Sequence, residues 1–187
     1  MVSAVMLSSP DVVKPGEEVS IFIGNIGAGD PFQIDIIGNI KIDAGSFFSF
    51  KLNKLNLPLD IANPTLRVYI NGLVPDSKLN VSVNQKKYNE VFDTADSTGL
   101  YDYLIVRSGM PKGIYNVEIN GTAAKTQVPV TFSITGTNTN AEPLAESTFS
   151  ISGFSSGTFD VKTYVKNLAQ PVERKQFTVQ DQFIATK

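Results

Sequence analysis

The amino-acid sequence predicts an all-β fold made of antiparallel β-sandwiches. Runs of Val, Ile, Phe, Tyr and Thr alternate with polar residues and are cut by Gly, Pro, Asn and Asp, a pattern typical of short, half-buried strands. No long stretch has the apolar spacing of a helix. In segments such as Ile34-Asp35-Ile36 and Val81-Ser82-Val83, the apolar side chains share one face of the strand. That face needs a second sheet to cover it, which predicts a sandwich.

Fourteen strands are predicted from this pattern, each ending near a turn-forming residue. In chain order they are Ala4–Leu7, Glu18–Gly24, Phe32–Ile37, Ile40–Asp43, Phe47–Leu52, Leu66–Ile70, Leu79–Asn84, Glu90–Thr94, Tyr101–Arg107, Ile114–Ile119, Val128–Ile134, Thr148–Ser152, Thr158–Val165 and Arg174–Val179. Leu52–Ile61 is ambiguous, although Pro58 argues against a long helix there. Asn120-Gly121 is a strong two-residue hairpin signal.

One motif recurs three times: a strand closed by a Gly-containing turn and one more apolar residue, followed by a second alternating strand. The copies begin at Ile21–Ile26, Val68–Leu73 and Phe149–Phe154. They divide the chain into an N-terminal β-sandwich unit (1–62), a central unit (63–136) and a C-terminal β unit (137–187). Only the central unit is long enough for a complete seven-strand sandwich. The flanking units either pair with each other or borrow strands from elsewhere, and Thr135–Glu146 is the best linker candidate.

Composition excludes several classes of function. The 187 residues contain no His, Cys or Trp and carry a formal net charge of −2. Disulfides and thiolate metal sites are therefore excluded, and nucleophilic catalysis lacks a His to activate a serine. No basic stripe indicates nucleic-acid binding, and no apolar stretch is long enough to cross a bilayer. Met1–Leu7 lacks the features of a signal peptide, so the protein is not exported that way or its signal has been removed. We expect no enzyme activity and no cofactor.

The central unit resembles the immunoglobulin-like modules of bacterial and archaeal surface-layer and other surface proteins. The stretches that carry this resemblance keep the order of the family's elements, and they are Val68–Pro75, Leu79–Val83, Thr94–Tyr101 and Met110–Val117. The N-terminal unit is similar to these modules through Gly45-Ser46-Phe47 and Leu57-Pro58, and the C-terminal unit only through its opening. The resemblance implies tandem immunoglobulin-like sandwiches with a spacer, assembly or adhesion role and no catalytic residues.

Few residues suggest a specific site. Asp93, Asp96 and Asp102 form a candidate Ca²⁺ cluster, although acids at turns more often bond their own backbone. Asn80 and Asn120 begin N-x-[ST] sequons and are glycosylation candidates. Phe47, Phe48 and Phe50 place aromatic rings on both faces of one strand, which indicates core filling or a subunit contact.

The sequence supports three hypotheses for function. The first is a structural or assembly protein of an extracellular surface structure (a surface layer, filament or adhesin) that binds itself or other surface proteins. In such an assembly the segment Ala4, Val5, Met6 and Leu7 could be a strand donated to a neighbour's open sheet. The main alternative is a virion structural protein, as in a tail, baseplate, turret or capsid decoration. A carbohydrate-binding module is the third hypothesis, and an exposed platform of Tyr69, Tyr88, Tyr101 and Tyr103 would support it.

Overall fold

The computed structural model describes residues 12–84 and 90–181, and these residues form strands, turns and loops with no helix. The strands are β1 Val12–Val13, β2 Glu18–Ile26, β3 Pro31–Lys41, β4 Phe47–Leu57, β5 Ile61–Ile70, β6 Lys78–Asn84, β7 Glu90–Thr94, β8 Tyr101–Val106, β9 Gly109–Met110, β10 Gly113–Thr122, β11 Gln127–Asn138, β12 Glu142–Ser152, β13 Ser156–Val165 and β14 Glu173–Gln180. The all-β prediction is confirmed. The predicted strand Ala4–Leu7 lies outside the described residues.

The strands form two sheets that pack face to face. Sheet A has the order β1-β14-β13-β3-β11-β5-β8, with β9 also paired to β5, and sheet B has the order β2-β12-β4-β10-β6-β7. The short β1 pairs with β14 in parallel, whereas neighbouring strands elsewhere in the two sheets are antiparallel. Side chains alternate between buried and exposed along each long strand, as in β3 and β13. The inward-facing residues of both sheets form a hydrophobic core that includes Phe48, Phe50, Phe132 and Phe149.

Each of the three sequence units contributes strands to both sheets. The C-terminal strands β12 and β13 pair with β2, β4 and β3 of the N-terminal unit. The central strands β11 and β10 pair with β3 and β4 of the same N-terminal unit. The two flanking units therefore share their sheets with each other and with the central unit.

The recurring motif marks three places where the chain passes from one sheet to the other. Its copies join β2 to β3, β5 to β6 and β12 to β13, and in each pair the two strands lie in different sheets. The motif glycines Gly24, Gly72 and Gly153 all have positive φ angles, of 94°, 85° and 99°, which glycine adopts most readily. Gly153 follows β12 directly and Gly72 follows β5 after one intervening residue, Asn71, whereas Gly24 lies within β2 at an irregularity opposite Ala145.

One predicted break between strands and one predicted hairpin do not occur. The strands predicted on either side of Gly38 form the single strand β3, and the missing side chain at Gly38 leaves room for the ring of Phe159. The hairpin predicted at Asn120-Gly121 is wrong, because both residues lie inside β10. Gly121 pairs with Phe48 there, and a Cβ at Gly121 would lie only 3.3 Å from that ring.

The segment predicted as a linker is mostly strand. It contains the end of β11 and the beginning of β12, so that only residues 139–141 connect them. Asn138 is buried, and its Nδ2 donates a hydrogen bond of 3.0 Å to the carbonyl oxygen of Gly27. Its backbone oxygen accepts a hydrogen bond of 2.7 Å from the amide of Gly29. These bonds fix the connection against the turn between β2 and β3.

Candidate functional site: the open edge of sheet A

Among the described strands, sheet A ends at β1 and, on the other side of β5, at β8 and the short β9, and sheet B ends at β2 and β7. Unpaired backbone groups at such edges are open to pairing with another chain unless something covers them. The edge of β2 is covered by side chains of sheet A. The amine of Lys175 donates to the carbonyl oxygen of Ser20, and the carboxylate of Glu173 accepts from the amide of Phe22. The hydroxyl of Thr163 donates to the oxygen of Phe22 at 3.3 Å. The β2 edge is therefore closed.

The β8 edge is open and apolar. It pairs with β5 on one side, and no other described strand pairs with its second side. On the solvent face, Leu104 and Val106 are 58% and 74% exposed, and on the core-facing side Tyr103 is 36% exposed. Ile105 between them is half-buried. In a sheet with one face exposed to solvent, apolar and polar side chains normally alternate along each strand. The four consecutive aromatic or aliphatic side chains on this edge strand do not follow that alternation. This is the pattern expected of a strand that has a further partner.

A salt bridge also links β8 to β5. Arg67 donates two parallel hydrogen bonds to the carboxylate of Asp102, of 2.8 Å from Nε and 2.7 Å from Nη2. The guanidinium carbon of Arg67 also lies 5.6 Å from the centre of the Tyr69 ring. The hydrogen bonds from Arg67 lower the pKa of Asp102, and the same bonds raise the pKa of Arg67. Because both groups are exposed, the pair adds little to stability, but its bidentate geometry fixes the position of the strand.

The turn before β8 is ordered by one carboxylate. Asp96 Oδ1 accepts hydrogen bonds from the amide and hydroxyl of Thr98, both 2.7 Å, and from the amide of Leu100 at 3.0 Å. The bond from the Thr98 hydroxyl is the main cause of a lowered pKa at Asp96. Gly99 in this turn has a φ of 79°, and a Cβ there would lie 2.1 Å from the oxygen of Leu73. The edge strand therefore begins from a defined turn.

The three acids of the predicted Ca²⁺ cluster have separate partners. Asp96 caps its own turn, Asp102 binds Arg67, and Asp93 accepts a hydrogen bond of 2.8 Å from the amide of Thr94. Within 12–84 and 90–181, no group of three or more acidic residues could hold a metal ion. The structure does not bring these acids together as a site.

The two sequon asparagines lie next to each other. Asn80 on β6 and Asn120 on β10 are directly paired across the two strands, in the interior of sheet B. Both are partly exposed. Nδ2 of Asn120 donates a hydrogen bond of 3.0 Å to Glu118, whereas Oδ1 of Asn80 is buried and has no hydrogen-bond partner among the described residues. Two glycans on opposed residues of one sheet face would compete for the same space.

The described tyrosines do not form a single platform. Tyr101 is buried, and its ring stacks on that of Tyr103 with centroids 6.0 Å apart. Tyr69 is paired with Asp102, which lies between Tyr101 and Tyr103 on β8. Because successive side chains of a strand point to opposite faces, Tyr69 lies on the face of sheet A opposite to that of Tyr101 and Tyr103. Tyr88 lies outside the described residues.

The aromatic residues of β4 divide between the two faces as predicted. Phe48 and Phe50 are buried in the core, whereas Phe47 is 67% exposed. The exposed apolar edge was not predicted as a site, although its signal, Tyr103-Leu104-Ile105-Val106, is present in the sequence.

No protein-family model, curated protein or solved structure matches this chain. The part of the chain that the structure describes contains no helix long and apolar enough to span a membrane.

Proposed function

We propose that this protein is a non-enzymatic assembly subunit of an extracellular surface structure, and that it associates through the β8 edge. The observation that carries the proposal is the run Tyr103–Val106, with Leu104 and Val106 exposed, on a strand whose second side has no described partner. An added strand would form main-chain hydrogen bonds with the unpaired N–H and C=O groups of β8. The apolar side chains of β8 would then be buried against the side chains of that strand.

The contrast between the two ends of the sandwich supports this proposal. The β2 edge is closed by Lys175 and Glu173, two charged side chains that occupy its backbone groups. Charged side chains of this kind prevent edge-to-edge association. The charged residue within β8, Asp102, is bound to Arg67, and Leu104 and Val106 of the same strand remain exposed. Of these two edges, the β2 edge is protected and the β8 edge is available.

The extracellular setting and the immunoglobulin-like assignment rest on the resemblance of residues 63–136 to surface-protein modules. The non-enzymatic character rests on the absence of His and Cys from the sequence and on the separate hydrogen-bond partners of Asp93, Asp96 and Asp102.

Light scattering coupled to size exclusion, across a wide range of protein concentration, tests the proposal. The wild-type mass is expected to rise with concentration. Leu104→Lys is expected to keep the protein monomeric, because a lysine on an edge disfavours strand addition. The matched control is Leu144→Lys, which replaces a leucine of sheet B that is 80% exposed, and it should assemble like the wild type. A wild-type monomer at every concentration, or equal assembly of Leu104→Lys, would overturn the proposal.

A further inference from the structure

We infer that the strand received by the β8 edge is Ala4–Leu7 of a second copy of this chain. The inference rests on the proposed function, because it names the partner of the same edge. Ala4–Leu7 lies outside the described residues, and the inference rests on its sequence and on the position of Val12, the first described residue after it.

The donor and the acceptor share an unusual composition. Ala4-Val5-Met6-Leu7 is apolar at four consecutive positions, and residues 1–7 contain no charged side chain. Tyr103–Val106 likewise has an aromatic or aliphatic side chain at four consecutive positions, two on each face of the sheet. In a strand ladder successive side chains point to opposite faces. Pairing these two segments would therefore put apolar side chains against apolar side chains on both faces of the new ladder.

The donor cannot reach the β8 edge of its own molecule. Val12 lies in β1, and β1 and β8 are the two opposite ends of sheet A, six strand spacings apart. Six spacings of about 4.8 Å amount to about 29 Å. Leu7 is five residues before Val12, and five extended residues span at most about 18 Å. The β8 edge that Ala4–Leu7 pairs with must belong to another copy.

The position of the two ends determines the type of assembly. A contact that joins the β1 side of one molecule to the β8 side of the next uses two different surfaces, so it is a heterologous contact. Such contacts repeat from molecule to molecule and produce a closed ring or an open filament. The closed β2 edge keeps growth away from that side of sheet B.

Disulfide trapping in the full-length chain tests the inference directly, because the sequence contains no cysteine. One preparation carries Met6→Cys and the other Leu104→Cys, and the two are mixed under mild oxidation. A disulfide requires Cα atoms within roughly 4.4–6.8 Å, so Val5→Cys and Leu7→Cys are included to cover other registers. We expect a disulfide-linked pair of chains on a non-reducing gel, formed several times faster than with Leu144→Cys, an acceptor control that is more exposed than Leu104.

Equal rates with Leu104→Cys and Leu144→Cys for all three donors would overturn the inference. Ala4–Leu7 pairing with the free part of β14 in its own molecule would give this result. The mass measurements then separate the two claims. If the wild type still assembles and Leu104→Lys does not, the β8 edge remains the interface and another strand occupies it. If the wild type is monomeric at every concentration, the proposed function fails as well.

Discussion

Gly38 on β3 lies directly against the ring of Phe159 on β13. A Cβ built at Gly38 would be 2.3 Å from Cε1 of that ring, and the two residues are paired in register. The ring of Phe159 also stacks on Phe50 of sheet B and on Phe177 of β14, with centroids 6.2 and 5.8 Å apart. Because Gly38 has no side chain, the rings from β4, β13 and β14 can pack together in one aromatic cluster.

The first prediction is that Gly38→Ala destabilises the fold. The added methyl group has no space beside Phe159. Overpacking of this kind typically lowers the free energy of unfolding by about 1–3 kcal/mol. Denaturant unfolding followed by fluorescence or circular dichroism measures this loss. Gly109→Ala is the matched control, because the nearest atom to a Cβ at Gly109 is the oxygen of Ile61 at 3.8 Å. Equal stability of Gly38→Ala and the wild type would show that the ring of Phe159 is not fixed.

The second prediction compares two buried tyrosines. Tyr115 and Tyr101 are 1% and 4% exposed, and burial raises the pKa of both. The hydroxyl of Tyr115 donates a hydrogen bond of 2.6 Å to the oxygen of Pro111. The hydroxyl of Tyr101 is buried with no hydrogen-bond partner among the described residues. Removing the two hydroxyls should therefore have different effects on the free energy of unfolding.

Tyr115→Phe is expected to lose about 0.5–1.5 kcal/mol, the net value of a typical hydrogen bond. Tyr101→Phe is expected to be neutral or stabilising, since it removes a polar group that is buried at a cost. Thermal or denaturant unfolding of the two variants measures the difference. A loss in Tyr101→Phe as large as in Tyr115→Phe would mean that the Tyr101 hydroxyl has a partner in the folded protein.

The third prediction concerns acid stability. Hydrogen bonds from Arg174, at 2.7 and 2.9 Å, and the nearby Lys162 lower the pKa of Asp160 from its ordinary value of 3.8. The folded state then binds fewer protons than the unfolded state, so the stabilisation is present above pH 3.8 and is lost as the pH falls through the lower, folded-state pKa. Asp160→Asn should flatten the fall in unfolding free energy in this range. Parallel profiles for Asp160→Asn and the wild type would contradict the assigned role.

Local features of the fold could be predicted from the sequence. Alternation indicated most of the strands and which residues face the core, as with Phe48 and Phe50. The glycines of the recurring motif mark positive φ angles at Gly24, Gly72 and Gly153. These features depend on residues close together in the chain.

The pairing of strands could not be predicted in the same way. The alternation of apolar and polar residues determines which face of a strand is buried, but it does not identify the strand that pairs with it. The pairing of Ser150 with Asn53 therefore has no local signal in the sequence. The break between strands expected at Gly38 and the hairpin expected at Asn120-Gly121 are both wrong, because the role of these glycines depends on distant rings, Phe159 and Phe48. The β8 edge is the same case: its apolar run is visible in the sequence, but only the sheet order shows that it lies at an edge.

Hydrogen–deuterium exchange of β8, measured at low and at high protein concentration, tests the central claim most directly. If another strand pairs with the free side of Tyr101–Val106, amide exchange in this segment slows on assembly, while exchange in the closed edge strand β2 stays unchanged. Assembly with unchanged exchange in β8, or with protection confined to other strands, would contradict the claim that this edge is the interface.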